Sequence, residues 1–267
     1  MVVKLVNEMK TAIFETHAHY DDDVYDEDRD ELIRSFTKNG IAYVINSGAD
    51  VTGCYKSVEL AEKYPHVLAS LGLHPDYAHM LDEEIEDYIR NQALTNKKVV
   101  AIGEIGLDYH EEGYDKEVQL DAFRRQMQIA YETKKPVVIH SREACADTLE
   151  VLREFKNRNY GGSMHCYSYS VEIARELVKM GYCLGIGGVV TFKNAKTLIE
   201  VVEEIPLENL LLETDAPYLA PVPYRGQRNS ALNLRYIVQK IASIKGVEYD
   251  KVVDVTYNNA KRIFLKR

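Results

Sequence analysis

Residues 12–19 read Ala12-Ile13-Phe14-Glu15-Thr16-His17-Ala18-His19, a short apolar run that passes directly into two histidines spaced two apart. A run of this length and character marks a buried first strand. The residues at its carboxyl end separate two folds that share strand–helix alternation. An open doubly wound sheet often places a glycine-rich turn after its first strand. This chain has His17-Ala18-His19 there instead, which favours a closed barrel with its polar groups at the carboxyl ends of the strands.

Outward from that strand, β-rich runs recur at 12–16, 41–46, 67–71, 99–103, 137–140, 162–165, 182–186 and 210–214. Helical periodicity fills 28–39, 51–63, 83–94, 116–133, 143–156, 171–180, 195–204 and 232–244, with a last helix at 251–264. Eight units in 267 residues allow about 33 residues each, the size of a strand plus its crossover helix. No linker or low-complexity tract interrupts the series. The expectation is a single-domain α/β protein, a (β/α)8 TIM barrel spanning 1–267, with 1–10 a candidate extension.

Composition narrows the function. The 33 Lys plus Arg against 42 Asp plus Glu give a net charge of −9, with 46% hydrophobic and 28% charged residues. That is globular composition, and it disfavours a basic nucleic-acid coat or polybasic membrane anchor. Cys54, Cys145, Cys166 and Cys183 form no CxxC pair and suit a reducing compartment. The N-terminal apolar stretch is too short and interrupted for a secretory core or membrane span. The expected location is cytoplasmic, with no membrane association and no obligate protein partner.

Ligand-type side chains collect at the strand ends: His17 and His19 after strand one, Glu104 after strand four, His140 after five, His165 after six and Asp215 after eight. In a barrel these ends meet at one face. His17 and His19, two apart, project to the same side and can share an ion. Imidazoles grouped with carboxylates suit transition metals better than calcium. Two divalent ions, drawn from Zn, Mn, Mg, Ni or Co, are the expected cofactors. Glu104 has two oxygens and can bridge two cations about 3.5–4 Å apart, with a polarised water as nucleophile. Asp215 is either a ligand alone or also the acceptor of that water's proton.

With these residues the chain resembles the TatD family of metal-dependent hydrolases, within the amidohydrolase-like barrels, from about residue 14 to 232. The blocks that carry the resemblance are Glu15-Thr16-His17-Ala18-His19, Gly72-Leu73-His74-Pro75, 103–109 (GEIGLDY), 136–142 (PVVIHSR), His165-Cys166-Tyr167-Ser168, 191–195 (TFKNA) and 213–219 (ETDAPYL). The resemblance implies that His17, His19, Glu104 and Asp215 hold one ion, and Glu104, His140 and His165 the other. It also implies deoxyribonuclease activity, a 3′-to-5′ removal of nucleotides from single-stranded DNA or short nucleic-acid ends. Glu104 stands where related phosphotriesterase-like barrels carry a carboxylated lysine. Departures are Glu15 in place of the usual Asp, Tyr167-Ser168-Tyr169-Ser170 within the HCFSGS-like block, and loss of the proline from the closing 225–231 pattern.

Supporting roles are assigned by position. His74 is a candidate catalytic donor to a phosphate or leaving group. Arg142 and Arg225 are candidate phosphate clamps. Tyr109, Tyr167 and Tyr169 could stack on bases, although packing accounts for most tyrosines. Glu213, one layer below Asp215, is placed to orient a ligand imidazole. Cys166 is expected to point away from the site by strand alternation. The alternative function is hydrolysis of a non-nucleic-acid ester or amide, such as a lactone or aminoacyl linkage. A non-enzymatic metal-binding barrel would need a missing ligand or base, and none is missing.

Overall fold

The computed structural model describes residues 12–110, 112–158 and 160–265; the candidate extension at 1–10 lies outside them. Eight parallel strands pair in sequence order: β1 (Ile13–Ala18), β2 (Ile41–Ser47), β3 (Val67–Leu71), β4 (Val99–Asp108), β5 (Val137–Arg142), β6 (Gly162–Met164), β7 (Tyr182–Ile186) and β8 (Leu210–Leu212). The circle closes just beyond β8, where Ala18 bridges Ala216 in parallel. His19 N donates to Ala216 O at 2.7 Å and Asp215 N to His17 O at 3.1 Å. The seam of this (β/α)8 barrel is therefore made by the backbone of three expected site residues.

Helices cover the outside: α1 (Arg29–Ser35), α2 (Val51–Lys63), α3 (Glu83–Thr95), α4 (Lys116–Thr133), α5 (Cys145–Glu154), α6 (Val171–Lys179), α7 (Lys196–Glu204), α8 (Leu234–Lys245) and α9 (Tyr249–Ala260). Asp50, Asp82 and Asp115 cap α2, α3 and α4 by accepting first-turn N–H groups, as short acidic side chains do at helix starts. The main apolar cluster lies between strands and helices. A smaller one takes Phe14, Ile45, Leu68, Val100, Val138, Cys183 and Leu211 from seven strands, with Ala260 and Phe264 packed against them. That layer fills the barrel beneath the site, as expected for a packed barrel interior.

Several boundaries differ from the sequence reading. The segment 28–39 splits into α1 and a 3-10 turn, Thr37–Asn39, and 251–264 becomes α9 followed by a wider turn, Lys261–Leu265. Strand β8 stops at Leu212, so Glu213 to Asp215 belong to the loop. Strand β4 runs five residues past Gly103, and Glu104 lies within it rather than at its end. Glycine inside a strand often marks a bulge or a close backbone approach, and here Gly106 adopts φ +144° where a Cβ would collide with His140 O. The absent side chain lets β4 and β5 stay paired. Their register slips by one residue between Ile102 and Ile105, a bulge that re-aims Glu104.

Two buried glutamines on α4 fix the ends of β3 and β4. Gln126 accepts from Leu73 N at 2.7 Å and donates to Leu73 O at 3.1 Å; Gln119 does the same for Asp108, both at 2.9 Å. Seven residues apart, they sit two turns along one helix face and hold the backbone beside His74 and at Asp108.

Candidate metal centre

The expected residues converge. His17 Nε2 and His19 Nε2 lie 3.0 Å apart, and the rings of His17 and His165 stack at 3.6 Å. Glu104 divides its two oxygens between two sets of imidazoles. Its Oε2 faces His17 Nε2 at 3.3 Å and His19 Nε2 at 3.6 Å. Its Oε1 faces His140 Nδ1 at 2.8 Å, His165 Nε2 at 3.7 Å and His74 Nε2 at 3.9 Å. Asp215 Oδ1 lies 3.6 Å from Nε2 of His17, His19 and His165. Asp215 adopts φ +58°, a left-handed conformation that aspartate enters more readily than most residues.

Ligand atoms gather within 4.8 Å of one another in His17–His19–Asp215 and in His17–Glu104–His165. These two clusters are able to coordinate divalent ions and match a two-metal hydrolase site. His74, Asp108 and His140 form an adjoining group.

Electrostatics supports the same fit. Burial opposes charge on His19, yet Asp215 and Glu104 outweigh it and lift its pKa to about 9. Burial likewise opposes charge on His140, but Asp108 and Glu104 raise it to about 9. For His165, Glu213, Glu104 and Asp215 overcome burial and bring the value to about 10. His17 moves down, pressed by burial and by His165. Burial would raise Glu104, but His17 and His165 hold it well below the usual range; His165 and His19 hold Asp215 down against its own burial. The carboxylates thus draw protons onto three imidazoles where cations can take their place.

The outer partners set ring orientation. His19 Nδ1 lies 2.8 Å from Ser47 O; a carbonyl only accepts, so Nδ1 carries the proton and neutral His19 keeps its Nε2 lone pair free. His140 Nε2 donates to Asp108 Oδ2 at 2.9 Å, which leaves Nδ1 as the atom facing Glu104. Glu213, fully buried, sits 3.2 Å from His165 Nδ1 and accepts from Cys166 N at 2.6 Å. His74 Nδ1 lies 3.3 Å from both the N–H and the carboxylate Oδ2 of Asp76, which leaves Nε2 as the atom facing Glu104 Oε1 at 3.9 Å. Glu15 accepts from Thr214 N and Oγ1 at 2.8 and 2.7 Å and is pushed up to about 8 by burial, bracing β1 against the Asp215 loop. Asn229 donates to Thr214 O and Tyr218 O at 3.0 and 2.8 Å and holds that loop from the other side.

A cavity of about 700 Å³ opens over these groups, lined among others by His19, His74, His140, His165, Asp215 and Arg142. Arg225 is not in that lining; its guanidinium lies 4.5 Å over the Phe192 ring. Tyr109 is not there either. It donates to Asp147 at 2.8 Å and stacks on Tyr114 at 4.7 Å. Tyr167 is buried with its hydroxyl on Ser170 O, and Tyr169 bonds Ser141. Cys166 departs from the alternation expectation: β6 ends at Met164, Cys166 turns at φ +45°, and its Sγ joins the His165–Glu213 group. Burial first, then Asp215 and Glu213, push its thiol well up, which disfavours the thiolate a nucleophile needs.

Sequence reasoning missed Asp108 and Ser47. Asp108 had a usable signal, since it lies four residues after Glu104 and an extended strand returns to the same face every second residue. Ser47 orients both histidines, its carbonyl on His19 Nδ1 and its hydroxyl 3.2 Å from His17 Nδ1, and a lone serine ending a β-rich run gives no signal of that. No helix among the described residues is long and apolar enough to cross a membrane.

Known proteins similar in sequence are described as metal-dependent hydrolases. The family described as TatD related DNase matches residues 14–265. The chain is 40% identical over 252 residues to an uncharacterized metal-dependent hydrolase, YabD, of Bacillus subtilis, covering 94% of this chain and 98% of that protein. It is 35% identical over 256 residues to the corresponding hydrolase YcfH of Escherichia coli, covering 94% and 95%. Among solved structures, YjjV, a TatD homolog from Escherichia coli, superposes with a TM-score of 0.90 at 27% identity, covering 97% of this chain and all of that one.

Proposed function

Because this chain belongs to the TatD-related DNase family of metal-dependent hydrolases, we propose that it is a deoxyribonuclease that removes nucleotides from the 3′ ends of single-stranded DNA. In this reading His17, His19, Glu104 and Asp215 hold one ion, and Glu104, His140 and His165 hold the second. The observation that carries it is the division of Glu104, with Oε2 toward His17 and His19 and Oε1 toward His140 and His165. When bound, a pair of divalent ions supplies Lewis-acid polarisation of a phosphoryl oxygen and acidifies water.

The chain's own groups do the rest. Asp215, held ionised by its histidine neighbours, can accept a proton from attacking water beside the scissile phosphate. His74 Nε2, 3.9 Å from Glu104 Oε1, is placed to hydrogen-bond a phosphoryl or leaving oxygen. Arg142, on the cavity wall, can pair with phosphate oxygens through its planar fork.

Metal-loaded protein is expected to release nucleotides from end-labelled single strands, with the label's position fixing polarity. An acidic cavity lining gives one specific reason to keep a second reading, hydrolysis of a non-nucleic-acid ester or amide. Parallel assays on oligonucleotides and small lactone or aminoacyl esters separate the two. A large preference for the esters would overturn the nuclease assignment.

A further inference from the structure

The cavity presents an electrostatic obstacle to a polyanion. With metal bound and its ligand imidazoles neutral, the lining carries eight carboxylates against two cationic side chains, Lys56 and Arg142. That is a formal excess of six negative charges, of which two divalent ions would cancel four. Lys56 is already engaged, its Nζ 2.8 Å from Asp23 Oδ1 and 3.2 Å from Asp21 O. Proteins that bind single strands without regard to sequence usually combine a cationic groove with aromatic stacking. Here the groove is acidic, so uncharged contacts have to supply affinity away from the scissile phosphate.

The lining has two such surfaces, both phenol rings and both solvent-facing: Tyr77, 38% exposed, and Tyr218, 54% exposed. They extend from different loops, Tyr77 after His74 and Tyr218 after Asp215. Tyr218 comes three residues after Asp215, donates its N–H to Asp215 O at 2.8 Å, and meets the His19 ring edge-on at 6.4 Å. Its hydroxyl donates to Asp22 Oδ2 at 3.2 Å, and Asn229 grips its carbonyl. Tyr77 lies in the turn Pro75–Met80 after His74, donating its N–H to His74 O at 2.8 Å. The His74 ring packs edge-on to His140 at 4.3 Å. Each ring is thus tied to a different residue at the cavity, Tyr218 to Asp215 and Tyr77 to His74.

We propose that Tyr77 and Tyr218 form a clamp that stacks on the terminal nucleobase of a single strand, so that a strand end is recognised through its base and not through a run of phosphates. The proposal rests on the nuclease reading and assigns its substrate-end specificity to two residues outside the ligand set. Recognition is then tolerant of base identity, because every base has a flat face. Only the scissile phosphate, and one neighbour within reach of Arg142, are neutralised by the protein and its ions. Rate should accordingly depend weakly on salt, since each phosphate contact made by a cationic side chain contributes about −0.7 to the log–log slope on single strands.

The test compares two short oligothymidylates that differ at the 3′ terminus, one ending in thymidine and one in an abasic tetrahydrofuran residue. Metal-loaded wild type is expected to favour the base-bearing end in kcat/KM on the order of tenfold or more, chiefly through KM. In Tyr77→Ala and Tyr218→Ala that ratio falls toward one, and Tyr218→Phe, which keeps the ring, restores it. A log–log salt slope shallower than about −1 accompanies this preference. Equal rates on both ends in wild type, a ratio unaltered by both alanine variants, or a salt slope of several units overturns the clamp while leaving the nuclease reading intact. Failure of metal-loaded protein to bind or cut either strand brings down both.

Discussion

Replacing Asp108 by asparagine isolates a residue that neither binds an ion in the proposed centre nor stood out in the sequence. Asp108 is buried and accepts from His140 Nε2 at 2.9 Å. Its loss acts on metal binding in two opposed ways. It weakens the orientation and basicity of His140, an effect worth about 10- to 100-fold in metal affinity, roughly 1 to 3 kcal/mol. It also removes one of the two carboxylates that overcome burial and raise His140 to about 9. At pH 7 a metal must displace that proton, at a cost of roughly 3 kcal/mol in the wild type. The variant is spared much of this cost. The two effects nearly offset at neutral pH and separate above the pKa, where no proton competes.

Asp108→Asn should therefore bind metal nearly as well as wild type near pH 7 and about 10- to 100-fold more weakly near pH 9.5. Competition against a chelator of known pH-dependent affinity measures both, and NMR titration of chelated protein should find the His140 pKa lowered. A defect that is constant with pH, or larger at neutral than at alkaline pH, would refute the coupling of Asp108 to His140.

Three further outcomes are expected. Metal loading at pH 7 should release up to about three protons, one each from His19, His140 and His165, whose values of about 9, 9 and 10 keep them charged without metal; calorimetry in buffers of differing ionisation enthalpy reads this, and no release would contradict it. The same raised values favour the folded chelated protein fully below their unfolded pKa near 6.5, so its melting temperature should fall between about pH 6.5 and 10 as that contribution is lost. A melting temperature that rises over this window would be inconsistent. Phe264→Ala, which empties a buried position beneath the barrel's polar layer, should cost about 3–5 kcal/mol of stability in chemical denaturation, and a loss below about 1 kcal/mol would remove Phe264 from the core.

Most of the centre was legible because its chemistry sits in side chains whose types are rare together. His17, His19, Glu104, His140, His165 and Asp215 each follow or end a β-rich run, and barrel closure does the gathering. What stayed hidden depends on backbone detail. The continuation of β4 past Gly103 relies on glycines that permit close approach to β5, so Asp108 looked like a loop residue when it is the strand's last. Cys166 was judged by an alternation that had already ended at Met164. Arg225 was a reasonable phosphate ligand by position, yet its guanidinium lies over Phe192. Gln119 and Gln126 carry no signal in the sequence, because their role exists only once α4 packs across the ends of β3 and β4.

The division of the Glu104 carboxylate is tested most directly by anomalous diffraction from crystals of manganese- or zinc-loaded protein. Two peaks are expected, one ligated by Glu104 Oε2 with His17, His19 and Asp215, the other by Glu104 Oε1 with His140 and His165. A single peak, or two peaks without Glu104 between them, would contradict the two-ion centre and the hydrolysis derived from it.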